Sequence, residues 1–178
     1  MLQNNDRVID FSSYDYLGNK INLADYRGEK ILLSFFRGAS CPFCNLRIRQ
    51  LIMQYHEFEK KNIEIIALFA ATAEEISKYA GKQSAPFSII PDPDLDLYVK
   101  YGIEESFSGM FKVMLKPGEL LKVMTSGFFN VKTIHKKPIL PADFLIDENQ
   151  VIYRVYYGKD YGDHVPIEDV LTWGNNHM

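Results

Sequence analysis

The stretch from Ile31 to Leu46, ILLSFFRGASCPFCNL, decides how the rest of the chain reads. Ile31 to Phe36 is an apolar run rich in β-formers and reads as a buried central strand. Arg37, Gly38, Ala39 and Ser40 then form a short polar turn. Cys41-Pro42-Phe43-Cys44 opens a helix, because proline suits the first helical position, where its missing N–H costs nothing. Cys41 thus falls at the helix cap and Cys44 about one turn inside. Free N–H groups and the positive end of the helix favour an anion there, which lowers the pKa of Cys41. The pattern predicts a nucleophilic Cys41 for thiol-disulfide exchange, with Cys44 placed to resolve a mixed disulfide.

Both cysteines of the chain lie in this one CxxC, so no structural bridge across a long loop is available. In a reducing compartment such a pair points to catalysis or metal. Zinc needs four ligands, and no histidine follows His56 at finger spacing, so no metal site is expected. No cofactor is implied. The 178 residues carry a net charge of −3, which leaves no footprint for nucleic acid. No apolar run is long enough to cross a bilayer, and MLQNNDRVIDF lacks the pattern of a secretory signal, so the expected location is cytoplasmic.

Outward from the cysteines, the apolar positions Leu46, Ile48, Leu51, Ile52, Tyr55 and Phe58 predict a helix from Pro42 to about Lys61, with Arg47 and Arg49 on its polar side. Ile63 to Phe69 reads as a second strand. Thr72 and Glu75 form a capping box for a helix from Ala73 to about Ala80, stopped by Gly81. Phe87 to Ile90 is a short strand, and Leu95 to Tyr101 a short helix. Before the first strand, Val8 to Phe11 and Ile21 to Leu23 flank a turn at Gly18-Asn19 and suggest a hairpin or an edge addition to the main sheet.

Residues 107–137 are expected to hold two short amphipathic helices or a hairpin about Pro117-Gly118. From 110 to 137 there are six lysines and one acid, best explained as a solvated face. Phe144 to Ile146 and Val151 to Tyr157 flank Asp147-Glu148-Asn149-Gln150 and read as an antiparallel hairpin. A loop over 158–165 and a last helix opened by Pro166 complete the chain. The alternation of strands and helices implies an α/β sheet with crossovers, in one domain over 1–178.

FFRGASCPFC followed by a long helix resembles the thioredoxin superfamily, and within it the peroxiredoxin-like branch related to alkyl hydroperoxide reductase and thiol-specific antioxidant proteins. The resemblance implies an α/β thioredoxin-like fold, a central mixed sheet flanked by helices with a helical insertion before the C-terminal hairpin. It also implies that Pro141, in Leu140-Pro141-Ala142-Asp143, matches a cis-proline facing the CxxC, and that Leu140 offers an open backbone edge to a substrate peptide. The site expected on this basis comprises Cys41, Cys44, Arg37 and Pro141, with Ser40, Pro42, Phe43 and Leu140 lining a substrate groove.

The peroxiredoxin pattern Pro-x-x-x-Thr/Ser-x-x-Cys fits neither cysteine. Ending at Cys44 it meets Arg37 and Cys41; ending at Cys41 it meets Ser34 and Gly38. The CxxC form therefore favours dithiol-disulfide exchange as the activity. One alternative is a thiol peroxidase, with Arg37 and backbone N–H groups steadying the peroxide oxygens. The other is a redox-inert adaptor holding a peptide between Phe43 and Pro141. The partners implied are a protein or small-molecule disulfide, or a peroxide, and an electron donor such as thioredoxin or glutathione, with no nucleic acid or membrane. The chain is expected as a monomer or homodimer. His164 is assigned no role.

Overall fold

The structure, a computed structural model, describes residues 1–103, 117–125, 127 and 138–175. The chain starts with a hairpin of β1 (Ser12–Tyr14) and β2 (Lys20–Asn22). Asp15 closes its turn by accepting from the N–H groups of Leu17 and Asn19 at 2.9 and 2.8 Å, and Gly18 sits at φ +91°, a conformation glycine adopts without strain. The hairpin is a two-stranded sheet of its own, so it is not an edge addition to the main sheet. Val8 to Phe11 lies before it rather than in it.

The main sheet contains β3 (Lys30–Phe36), β4 (Ile63–Phe69), β5 (Ser88–Pro91), β6 (Ala142–Ile146) and β7 (Ile152–Tyr157), in the order β5-β4-β3-β6-β7. β3 pairs parallel with β4 and antiparallel with β6, and the sheet is therefore mixed. Every residue of β3 is buried. Leu32 and Phe36 face one core, which includes both cysteines, whereas Ile31, Leu33 and Phe35 face the other. That two-sided burial explains why the strand is a continuous apolar run instead of an alternating one.

The helices are α1 (Pro42–Glu59), α2 (Ala73–Lys78), α3 (Asp96–Lys100), α4 (Pro117–Thr125) and α5 (Ile167–Gly174). The Thr72–Glu75 capping box opens α2. This helix ends at Lys78, earlier than expected, and Gly81 lies inside a 3-10 turn, Ala80–Gln83, rather than terminating a helix. A Cβ on Gly81 would meet the Tyr16 ring at 2.9 Å, so its smallness serves packing. α4 is the helical insertion before the C-terminal hairpin, and its start at Pro117 excludes a hairpin about Pro117-Gly118. The remainder of 107–137, and with it the proposed second helix there, lies outside the described residues. Together these elements make a thioredoxin-like fold. Among the described residues no helix is long and apolar enough to cross a membrane.

One side chain ties the end of β3, where the cysteine turn begins, to β4. The Tyr98 hydroxyl, buried in α3, lies between the carbonyl oxygens of Phe36 and Leu68, the latter at 2.9 Å. Beyond β7, the N–H of Gly158 donates to Pro141 at 2.8 Å. A Cβ on Gly158 would fall 2.3 Å from the Asp163 carbonyl oxygen and 2.9 Å from Pro141 Cγ. Gly158→Ala should therefore destabilise the protein by about 1–3 kcal/mol, read from the urea midpoint, because backbone must move to admit one methyl group.

Candidate active site

Cys41 caps α1 with an extended backbone (φ −66°, ψ 123°), and Pro42 occupies the first helical position. The turn leading to it is closed by Cys41 N–H donating to Gly38 at 2.9 Å. Asn45, buried one turn into the helix, braces the same turn: its Nδ2 donates to the carbonyls of Ala39 and Cys41 at 2.7 and 2.9 Å. Gln83 in turn donates to the Asn45 carbonyl and side-chain oxygens at 3.1 and 3.2 Å. A polar residue inside the helix is thus fully engaged, and its bonds hold the cysteine where the strand delivers it.

Cys41 is 5% and Cys44 1% exposed, and both are free thiols. The Cys44 thiol donates to the Cys41 sulfur, and this bond is the main cause of a Cys41 pKa lowered to about 6. Burial acts the other way. The Arg37 charge and the backbone N–H groups of Cys44 and Phe43 add to the lowering. Burial, followed by the bond to Cys41 and the charge on it, pushes Cys44 well up. One sulfur is thereby favoured as a thiolate and its neighbour as a protonated thiol.

Arg37, 7% exposed, places Nη1 3.5 Å from the Cys41 sulfur. Its guanidinium carbon lies 3.4 Å from the centroid of the Tyr161 ring. Tyr161 belongs to the loop over 158–165, which lies against both sides of the expected groove. Gly158 packs on Pro141, and a Cβ on Gly162 would come within 3.1 Å of the Phe43 ring.

The loop is anchored beneath by Asp143, which is fully buried on β6 opposite Ser34 of β3. Asp143 accepts from Ser34 Oγ at 2.6 Å and from the Val165 N–H at 2.7 Å. His164 Nδ1 faces its two oxygens at 3.1 and 3.0 Å, which fixes a proton on that nitrogen because a carboxylate only accepts. Arg47, buried on α1 rather than on its polar side, donates to the Val165 carbonyl at 2.7 Å. Burial would raise the Asp143 pKa, but His164, then Arg47 and the Ser34 hydroxyl, outweigh it and hold the carboxyl below its ordinary 3.8. The serine hydroxyl bonds the carboxylate and not the imidazole, so the three residues form an anchor and not a hydrolytic triad.

The AhpC/TSA family model matches residues 5–155. The chain belongs to the AhpC/TSA family. Over 101 residues it is 27% identical to peroxiredoxin Bcp of Escherichia coli K12, a match covering 56% of this chain and 65% of that protein, just under two thirds of the relative's length. Among solved structures, peroxidoxin BcpB from Mycobacterium tuberculosis superposes with a TM-score of 0.71 at 15% identity, covering 98% of this chain and 96% of that one. A putative thiol:disulfide interchange protein DsbE from Chlorobium tepidum superposes at 0.65 with 17% identity, covering 98% and 96%. These likenesses establish the fold shared by both kinds of protein.

Within this family frame, Arg37, Cys41 and Cys44 come together as the sequence suggests. Pro42 and Phe43 flank them, half-buried, at the helix start, and Ser40 is buried in the turn without bonding the sulfur. Pro141 is buried beside the loop over 158–165, and Leu140 is half-buried. The expected cis bond before Pro141 is absent: no described peptide bond is cis. Pro141 is held instead by its carbonyl bond to Gly158. Sequence reasoning missed Asn45, which braces the cysteine turn from within its own helix, Tyr161, which the fold brings against Arg37, and His164, which it brings against Asp143.

Asp143→Ala would leave His164, Ser34 and the Val165 N–H unpaired in the interior, a loss of about 3–5 kcal/mol. Because its folded pKa is depressed, the carboxylate's contribution is complete above 3.8 and disappears as the pH falls through the lower folded value. The stability gap between wild type and variant, measured by urea unfolding, should be full at neutral pH and narrow on acidification below about 4.

Proposed function

We propose that the protein is a thiol-dependent peroxidase in which Cys41 attacks the peroxide and Cys44 resolves the product. The observation that carries this reading is the setting of the Cys41 sulfur: 5% exposed, bonded by the Cys44 thiol and facing Arg37 at 3.5 Å. A small oxidant fits that setting better than a protein disulfide, whose sulfur must reach the thiolate in line. The loop over 158–165, packed on Pro141 and close to Phe43, leaves little of the groove that a peptide would need. Membership of the AhpC/TSA family supports the same choice over dithiol exchange, the activity that the CxxC spacing favours.

In this mechanism the Cys41 thiolate attacks one peroxide oxygen and the O–O bond breaks. Cys41 becomes a sulfenic acid, and the departing alkoxide or hydroxide takes up a proton to leave as alcohol or water. Arg37 and the backbone N–H groups at the helix start steady the charge that develops on the oxygens. The Cys44 sulfur then attacks the sulfenic acid, its proton leaving with the hydroxyl as water, and a Cys41–Cys44 disulfide forms. The Cys44 thiol, which helps to lower the Cys41 pKa, is thus also the group that closes the disulfide. A thiol donor such as thioredoxin or glutathione returns two electrons and two protons to the disulfide.

The test is stopped-flow oxidation of the reduced protein by hydrogen peroxide and by an alkyl hydroperoxide, beside reduction of insulin disulfides. The proposal expects peroxide oxidation far faster than that of a free thiol, with slow insulin reduction. Sluggish peroxide oxidation with ready insulin reduction would replace it by a dithiol reductase.

A further inference from the structure

We propose that Tyr161 is a positioning residue of the redox centre, its ring holding the Arg37 guanidinium over the Cys41 sulfur so that it tunes Cys41 through Arg37. The inference rests on Cys41 being the reacting sulfur. It goes beyond the cysteine pair because Tyr161 lies in a loop 120 residues further along the chain.

Arg37 is an unusual buried cation. Among the described residues no carboxylate lies within ion-pair distance of it, and its Nε atom is buried without a partner. The Asp143 carboxylate is spent on Ser34, His164 and Val165. On the loop itself, Asp160 accepts from the Gly162 N–H at 3.0 Å, and Asp163 accepts from the Tyr156 hydroxyl and the Lys159 N–H at 2.7 and 2.8 Å. Among the described residues, what remains around the guanidinium is the Tyr161 ring face at 3.4 Å and the Cys41 sulfur at 3.5 Å. A ring face attracts a guanidinium and stacks on its plane, and the attraction grows where water is excluded. Without an anchoring carboxylate, a long arginine side chain keeps a fixed direction only if something else holds it. The ring supplies that restraint, and the thiolate supplies the negative charge.

The ring is itself well held. Its loop is tied to β6 at one end by Gly158 N–H to Pro141 and at the other by Val165 and His164 to Asp143. Tyr161 is buried between these ties. A change at this position therefore alters the placement of Arg37 while the charge stays in the protein.

The experiment titrates Cys41 by its ultraviolet thiolate absorbance in the full-length reduced protein, each variant referenced to the same protein carrying Cys41→Ser. Tyr161→Leu should raise the pH midpoint by about one pH unit, the size expected when an opposite charge close to a thiolate is released. Tyr161→Phe, which keeps the ring, should leave the midpoint unchanged. In an Arg37→Leu background, Tyr161→Leu should add nothing further, because the two residues act as one unit. Should the leucine variant fail to fold, trifluorophenylalanine at 161 decides the matter, since it keeps the ring's shape but weakens its negative face, and the midpoint should rise. An unchanged midpoint in the folded leucine or fluorinated variant overturns the proposal, as does an equal shift with and without Arg37. The titration uses no peroxide, so an unresponsive peroxide assay with a responsive midpoint would overturn only the substrate assignment.

Discussion

Cys41→Ser should abolish peroxide reduction, lowering turnover by at least about 1000-fold, because a serine hydroxyl is not ionised near neutral pH and cannot take the thiolate's place. Cys44→Ser should behave differently. The hydroxyl can still donate to the Cys41 sulfur, so the bond that contributes most to lowering the Cys41 pKa survives in altered form. The first oxidation should therefore proceed in that variant and stop after one equivalent as a sulfenic acid at Cys41, visible by dimedone labelling and mass spectrometry. Labelling at Cys44 in a Cys41→Ser protein that still turns over would reverse the two roles. The asymmetry follows from environment: both thiols are buried and Arg37 acts on both, but the Cys44 thiol donates to the Cys41 sulfur, which lowers Cys41 and raises Cys44.

Removing the Arg37 side chain is the second large perturbation. Arg37→Leu should slow peroxide oxidation at neutral pH by about 100- to 1000-fold, the usual consequence of losing one preorganised donor to developing negative charge. Two effects combine. The Cys41 pKa moves back toward its ordinary 9.0, which shrinks the thiolate fraction, and the peroxide oxygens lose a cation. Raising the pH should recover the first loss but not the second. Arg37→Lys should recover part of each, since an ammonium keeps the charge but cannot stack its plane on Tyr161. A variant rate equal to wild type at every pH would remove Arg37 from the chemistry.

Much of this site is legible in one stretch of sequence because its physics is local. Ile31 to Phe36 is apolar at every position except Ser34, so it belongs in the centre of a sheet, and Pro42 announces the helix start that brings Cys41 to a cap. Thr72 and Glu75 mark their helix for the same reason: both partners of the cap lie within one turn. What escaped the sequence is what folding alone brings near. Arg47 reads as a polar-face residue, yet it is buried because its partner, the Val165 carbonyl, lies 118 positions away. Asn45 is an exception of another kind, for its bonds to Ala39 and Cys41 are local, yet nothing in the sequence marks the turn as closed. Tyr161 and His164 look like ordinary loop residues until β6 and β7 fold the loop back over Arg37 and Asp143. The trans Pro141 shows the limit of resemblance in the other direction, for a proline at the right place need not carry the expected geometry.

The most direct measurement is the pH dependence of the rate at which hydrogen peroxide oxidises the reduced wild-type protein. A thiolate formed by the Cys44 bond, Arg37 and the helix start predicts a rate that falls off below a midpoint of about 6 and is level above it, because a lowered pKa leaves the reactive anion fully formed at neutral pH. A rate that keeps climbing to a midpoint near 9.0, the ordinary thiol value, would contradict the account, since it would mean that the fold does nothing to ionise Cys41.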